Sequence, residues 1–274
     1  MSDAPLTEPV AEFYDQLTDL IAAAYDGNFH LGYSPDPTDD STLAAAPDLM
    51  TDQLISRLGA GAGDTVLDVG CGTGKPALRL ARRSGAHVVG ISISRHQVNL
   101  ANSNAQAAGL QEEARFEYAD AMKLPYADAS FDAAWAFESM LHMPDHDLFL
   151  AEMTRVLKPE GRLVIADFAL RGPVDPADQP VVDAFRATSQ VASLLQIDQY
   201  PGLLEGTGLQ LLEITDVSDH ARPSFAKVVG DLNAARADFT ACIGAEAFDA
   251  FVGSVQAYGV LPQAGYVILT ASAP

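Results

Sequence analysis

Thr65-Val66-Leu67-Asp68-Val69-Gly70-Cys71-Gly72-Thr73-Gly74 decides how the rest of this 274-residue chain is read. Val66, Leu67 and Val69 form a short apolar run of strand length. Glycines at 70, 72 and 74 make the turn that follows. Lacking Cβ, they accept positive φ and let the backbone press against a ligand. Lys75-Pro76-Ala77-Leu78-Arg79-Leu80-Ala81 continues in a helical pattern, with a proline in the first turn, where its missing N–H is not needed. Strand, glycine turn and helix in this order open a doubly wound α/β sheet that binds a nucleotide-bearing ligand.

The glycine spacing narrows the ligand. The dinucleotide fingerprint G-x-G-x-x-G requires a glycine at position 75, which is Lys. The chain also lacks G-x-x-x-x-G-K-[ST], so a P-loop phosphate cradle is absent. The string VLDVGCGTG resembles the first motif of class I S-adenosylmethionine-dependent methyltransferases. That resemblance implies that Gly70, Cys71, Gly72 and Gly74 bring the backbone against the methionyl and ribose parts of S-adenosyl-L-methionine.

Outward from this motif, strands and helices alternate, as expected of a parallel sheet covered on both faces. Strands are expected near 65–70, 86–92, 114–118, 131–136 and 161–168, with helices near 75–84, 95–108 and 145–157. A sixth strand follows at 209–217, a helical stretch at 223–258 and a terminal strand at 265–271. The resemblance implies a Rossmann-like seven-stranded methyltransferase sheet whose last strand returns as a hairpin. Before the motif, Val10, Phe13, Tyr14, Leu17, Leu20, Ile21 and Tyr25 have helical spacing. This helix should end near Gly27, followed by Asn28-Phe29-His30-Leu31-Gly32-Tyr33, an acidic loop at 34–41 and a helix over 43–58. Residues 1–60 are therefore expected to form an N-terminal helical cap, and 61–274 the core. Segments 171–207 and 219–258 should act as lids over an acceptor pocket, with Leu194, Leu195, Ile197 and Tyr200 as candidate lining residues.

Bulk composition excludes several function classes. A formal net charge of −21, from 37 acidic and 16 basic residues, would repel DNA, RNA and anionic membranes. At 48% hydrophobic the chain is globular, and it has no run of about 18 apolar residues that could span a bilayer. Met1-Ser2-Asp3-Ala4-Pro5 lacks the basic and apolar regions of a signal peptide, so a cytoplasmic location is expected. Cys71 and Cys242 are far apart and suggest neither a disulfide framework nor a zinc site.

After the second strand comes Gly90-Ile91-Ser92-Ile93-Ser94-Arg95-His96-Gln97. Ser94-x-x-Gln97 can act as a capping box for the next helix. The segment also resembles G-[IL]-[ST]-[IL]-S-x-x-Q, found in small-molecule and mycolic-acid-type methyltransferases, which implies ribose contacts from Ser92 and Gln97. Tyr118-Ala119-Asp120-Ala121-Met122 ends the third strand. By resemblance Asp120 accepts from the adenine amino group, the Ala121 backbone meets the ring and Met122 flanks it. The fourth strand runs into Phe137-Glu138-Ser139-Met140-Leu141-His142, and the fifth ends in Asp167. Open α/β sheets bind ligands at strand carboxyl ends, so Phe137 is a cofactor-contact candidate and His142 and Asp167 are candidate catalytic groups. His142 also lies within reach of the cofactor. Tyr33, and less so His30, should close over the methionyl end.

Together with NFHLGY, ARPS at 221–224 and AGYV at 264–267, these segments resemble bacterial natural-product O-methyltransferases that tailor rebeccamycin, rifamycin and mitomycin. The resemblance implies methyl transfer to the hydroxyl of a small sugar, macrocycle or alkaloid scaffold. One departure concerns the base: a rebeccamycin-type relative has two histidines before Met-Pro-Asp, whereas this chain has Leu141-His142. Three alternatives are a nicotinamide-dependent dehydrogenase, a carbon-methylating lipid enzyme of the cyclopropane-synthase type and a non-catalytic cofactor-binding module. Position 75 and the missing acidic residue after the second strand oppose the first.

Overall fold

The computed structural model describes residues 7–39, 41 and 43–274; the Met1–Pro5 stretch and position 40 of the acidic loop lie outside these. The chain begins with α1 (Thr7–Ala24) and α2 (Ala46–Leu58), then β1 (Thr65–Val69), α3 (Lys75–Ser84), β2 (His87–Ser92), α4 (Arg95–Ala108) and β3 (Ala114–Tyr118). Next come β4 (Phe131–Phe137), α5 (His146–Val156), β5 (Leu157–Leu170), α6 (Gln179–Thr188) and the short α7 (Tyr200–Leu204). It closes with β6 (Gln210–Asp216), α8 (Ser218–Ala234), α9 (Arg236–Ile243), α10 (Ala245–Gly259) and β7 (Ala264–Ser272).

The seven strands form one sheet in the order β3-β2-β1-β4-β5-β7-β6. The first five run parallel, and β7 lies antiparallel between β5 and β6. The central strands are apolar along nearly their whole length because both faces are covered. On one face Val66, Val88, Trp135, Val164 and Ile268 pack in one core cluster. On the other, Leu67, Val89, Phe149, Ile165 and Leu269 pack in a second. Alternation along each strand sends its neighbours to opposite clusters. The strand order reverses at β1, whose carboxyl end is the glycine turn, and ligands bind at such switch points.

Met50, Leu54 and Leu58 of α2, spaced four apart, are buried in the main core, so α2 packs on the sheet. In α1, Leu17 and Ile21 pack with Leu232, Phe239, Phe248 and Val252 instead, making α1 and α8–α10 one helical layer. The helical stretch expected over 223–258 is present as α8, which starts at Ser218, α9 and α10, broken at Ala235 and at Gly244, whose φ of 83° suits glycine. Strand β5 starts at Leu157, before the expected 161, because Leu157 pairs with Phe131 ahead of a register shift.

Candidate active site

The turn after β1 keeps all three glycines left-handed, with φ of 78° at Gly70, 52° at Gly72 and 79° at Gly74. The Gly70 and Cys71 amides both donate to the Ile91 carbonyl at 2.9 Å, which fixes the turn against β2. A Cβ on Gly70 would stand 2.4 Å from Ser139 Cβ; one on Gly74 would stand 2.6 Å from the Phe116 ring. Gly74 thus serves helix–strand packing, while Gly70 and Gly72 face a cleft of about 950 Å³ that opens to solvent.

Nine of the proposed cofactor residues line this cleft: Gly70, Cys71, Gly72, Ser92, Gln97, Asp120, Ala121, Phe137 and His142. Gly74, Met122 and Tyr33 do not. Met122 packs against the core cluster of the opposite sheet face. The Tyr33 ring stacks on His220 with centroids 4.5 Å apart, and its amide donates to the Ala46 carbonyl. It therefore ties the 28–33 segment to α8 instead of reaching the cleft. His30 does line it, stacked on Phe137 at 3.9 Å, and burial pushes its imidazole down to about 4.

The cleft's own atoms suit S-adenosylmethionine. Asp120 accepts from the Met122 amide through Oδ1 (2.9 Å), and its Oδ2 bonds to none of the described residues. Asp68 is buried with an unpartnered Oδ2, and burial pushes its carboxyl up to about 7; a cationic ligand amine would satisfy it. Ser94 caps α4 by accepting from the Gln97 amide at 3.0 Å. The Gln97 side chain does not complete the expected capping box. It accepts from Ser92 Oγ at 2.8 Å, and the Ser94 amide donates to Ser92 Oγ at 3.0 Å. Ser92 and Gln97 are thereby held together on the cleft wall, where ribose hydroxyls could bond them.

Tyr14, Phe29, His30, Glu138 and His142 line this cleft and also a second cavity of about 1060 Å³. The second cavity is walled by α1, α6, α8 and α10. The expected lid segments do contribute here, but Leu194, Leu195, Ile197 and Tyr200 do not. These four sit in or against the core, Tyr200 at 2% exposure.

His142 follows β4 in a single 3-10 turn spanning Met140–His142. Its Nδ1 bonds the Gln190 carbonyl at 2.8 Å, and its Nε2 bonds the Tyr14 hydroxyl at 3.0 Å. A carbonyl only accepts, so the ring proton is on Nδ1 and the Nε2 lone pair receives the Tyr14 hydrogen. Burial holds the imidazole below its ordinary value, and hence neutral. Burial raises the Tyr14 phenol, with negative charge at Glu138 and Asp167 adding to the effect.

Glu138 takes φ of 47°, a left-handed conformation unusual for a residue with a side chain. Its Oε1 accepts from the Leu31 amide and the Tyr266 hydroxyl, both at 2.7 Å. Burial pushes its carboxyl up to about 8. Asp167 is fully buried and lines neither cavity. Its Oδ2 accepts from the Leu141 amide at 3.2 Å, so it supports the turn that presents His142. Burial, reinforced by Glu138, raises its carboxyl well above the usual carboxylate range. Tyr14, Glu138 and Asp68 were present in the sequence without an assigned role. Tyr14 reads as one more apolar position on an amphipathic helix, and nothing in its spacing marks it as polar machinery.

The methyltransferase-domain family profile matches residues 60–208. "Methyltransferase GfsG" of Streptomyces halstedii is 46% identical over all of this chain and 97% of its own length. "27-O-demethylrifamycin SV methyltransferase" of Amycolatopsis mediterranei is 38% identical over 98% of both. Among solved structures, the [4+2]-cyclase SpnF superposes with a TM-score of 0.87 at 33% identity, covering 99% of this chain and 98% of that one. Glycine turn, strand order, cleft and family match agree: this chain belongs to the class I S-adenosylmethionine-dependent methyltransferases.

Proposed function

We propose that this enzyme methylates a hydroxyl of a small-molecule natural product, with His142 as the general base. One observation carries the reading. The cofactor cleft and the second cavity meet at a histidine whose Nε2 lone pair is directed to the junction by a carbonyl bond at its other nitrogen. The 27-O-demethylrifamycin SV methyltransferase and O-methyltransferase resE of Aspergillus sclerotiorum, both 38% identical, support methylation at oxygen, and the first name supports a natural-product acceptor.

S-adenosylmethionine supplies a methyl group already activated by its sulfonium. Gly70 to Gly72, Asp68, Ser92, Gln97 and Asp120 would hold it. The protein's remaining tasks are alignment, exclusion of water and removal of one proton. An acceptor hydroxyl entering from the second cavity meets His142 Nε2 in the position Tyr14 occupies, and the neutral ring takes its proton as the oxygen attacks. Tyr14, kept protonated by its raised pKa, donates to Nε2 until the acceptor hydroxyl displaces it. Asp167 is a positioning residue acting through the Leu141 amide. A cyclisation of the kind named for SpnF needs no proton acceptor here, so the His142 arrangement favours hydroxyl methylation.

Among the described residues no helix is long and apolar enough to cross a membrane. A small, freely diffusing acceptor and a cytoplasmic location fit that observation. The test is incubation with methyl-labelled S-adenosylmethionine and a panel of alcohols, glycosides and a fatty-acyl lipid. A base-stable labelled methyl ether supports the proposal; label on lipid carbon refutes it.

A further inference from the structure

The walls of the second cavity say what kind of acceptor fits, given the methyltransferase reading above. Away from the junction they are chiefly hydrocarbon: Phe13, Phe185, Phe225, Val228, Phe251 and Val255. The polar side chains among them are largely spent inside the protein. Ser224 Oγ accepts from the Gly32 amide at 2.9 Å and donates to the Gly32 carbonyl at 3.2 Å. The Tyr25 hydroxyl donates to the Val228 carbonyl at 3.2 Å, and Asn28 Nδ2 donates to the Tyr25 carbonyl at 3.3 Å. Lys227, the cation on the wall, is paired with Asp231 one helical turn away. Asn28 Oδ1 and Ser189 Oγ bond to none of the described residues and face an acceptor's polar groups.

Such a wall discriminates by what it leaves unpaired. A hydroxyl stripped of water without a new partner weakens binding by about tenfold or more. A sugar ring would bring several such hydroxyls against phenylalanine and valine. An acceptor carboxylate or phosphate would find Lys227 already neutralised, in a chain of net charge −21. The polar machinery that can take a hydroxyl proton stands instead at the junction, at His142 and Glu138. We propose that the acceptor enters as an uncharged, mostly aliphatic aglycone, presenting its hydroxyl to His142 at the leading end, and that the methylated hydroxyl belongs to that aglycone rather than to an attached sugar.

Calorimetry on protein saturated with S-adenosylhomocysteine tests this with three probes: a macrolactone aglycone, its phosphate ester and a trisaccharide of similar mass. The expected result is binding of the aglycone at least about tenfold tighter than either other probe. Val228→Asp and Phe251→Asn should each weaken it by about tenfold while S-adenosylhomocysteine still binds as to the native protein; that retained affinity shows the variants are folded. Preference for the trisaccharide or phosphate ester would overturn the proposal. So would failure of the aglycone to bind, or aglycone affinity unchanged in both variants. Failure of the native protein to bind S-adenosylhomocysteine would instead refute the methyltransferase reading itself.

Discussion

His142 acts through its two ring nitrogens, which the fold has given different partners. The Gln190 carbonyl fixes the proton on Nδ1, leaving Nε2 as the basic atom at the point where two cavities join. Burial favours the neutral ring, so it stays a competent base below the histidine's ordinary pKa of about 6.5. The acid limb of the rate profile should accordingly fall below that value. Tyr14 contributes to the same preference, because a hydrogen bond donated to Nε2 exists only with the neutral ring. Tyr14→Phe should therefore move the acid limb upward, towards 6.5. A kcat/KM profile between pH 4.5 and 8 reads this directly; an unmoved limb would show that the phenol does not set the ring's affinity for protons.

The glycine turn between β1 and α3 shows how one element divides its labour. Gly70 is confined by Ser139, whereas a Cβ on Gly72 would lie 3.8 Å from the nearest Phe29 atom. Gly70→Ala should cost about 3 kcal/mol, from left-handed strain plus the clash, and Gly72→Ala only about 1 kcal/mol. Denaturant melts of the two variants test the ordering, and equal losses would contradict it. The turn was fully legible in the sequence because its chemistry is local: glycines mark the conformation whatever packs around them. Gln97, in the first turn of α4, and Asp120, just past β3, line the cleft because the topology brings the carboxyl ends of β2 and β3 to it. Tyr33 and Met122 lie outside the cleft because the direction of a side chain depends on partners far along the chain, His220 for the one and the opposite-face core for the other. Tyr14 was illegible as a functional group, since its contact with His142 spans 128 positions and no local pattern encodes it.

At the scale of the whole molecule, α1 joins α8–α10 in a helical layer over the sheet's carboxyl edge. Polar ties anchor it: Ser94 to Asp15, His96 to Asp19 at 2.7 Å, and Lys75 to Asp26 at 2.7 Å. Those at Asp19 and Asp26 are exposed and each contributes about 0–1 kcal/mol, so apolar packing of Leu17 and Ile21 holds the layer in place. Beneath it lie three carboxyls, Asp68, Glu138 and Asp167, whose folded pKa values are raised above their unfolded ones. Below about pH 6.5 the buried histidines His30, His142 and His146, whose pKa values burial lowers, oppose this effect, but from about 6.5 to 8 the carboxyls act alone: the folded state holds more protons than the unfolded chain, and stability falls as pH rises. The Tm of the cofactor-free protein should decline from about pH 6.5 to pH 8, and Glu138→Gln should flatten the decline. A slope unchanged by that substitution would exclude Glu138 as a contributor. The same layer closes both cavities onto one junction, and the account stands or falls on what happens there. The most direct measurement is the single-turnover rate of labelled methyl transfer to an alcohol acceptor, native against His142→Ala, with S-adenosylhomocysteine affinity taken in parallel. The account predicts a loss of about 10²- to 10⁴-fold in rate, disappearance of the acid limb and unchanged cofactor affinity. A variant that keeps the native rate and the native pH profile would contradict it.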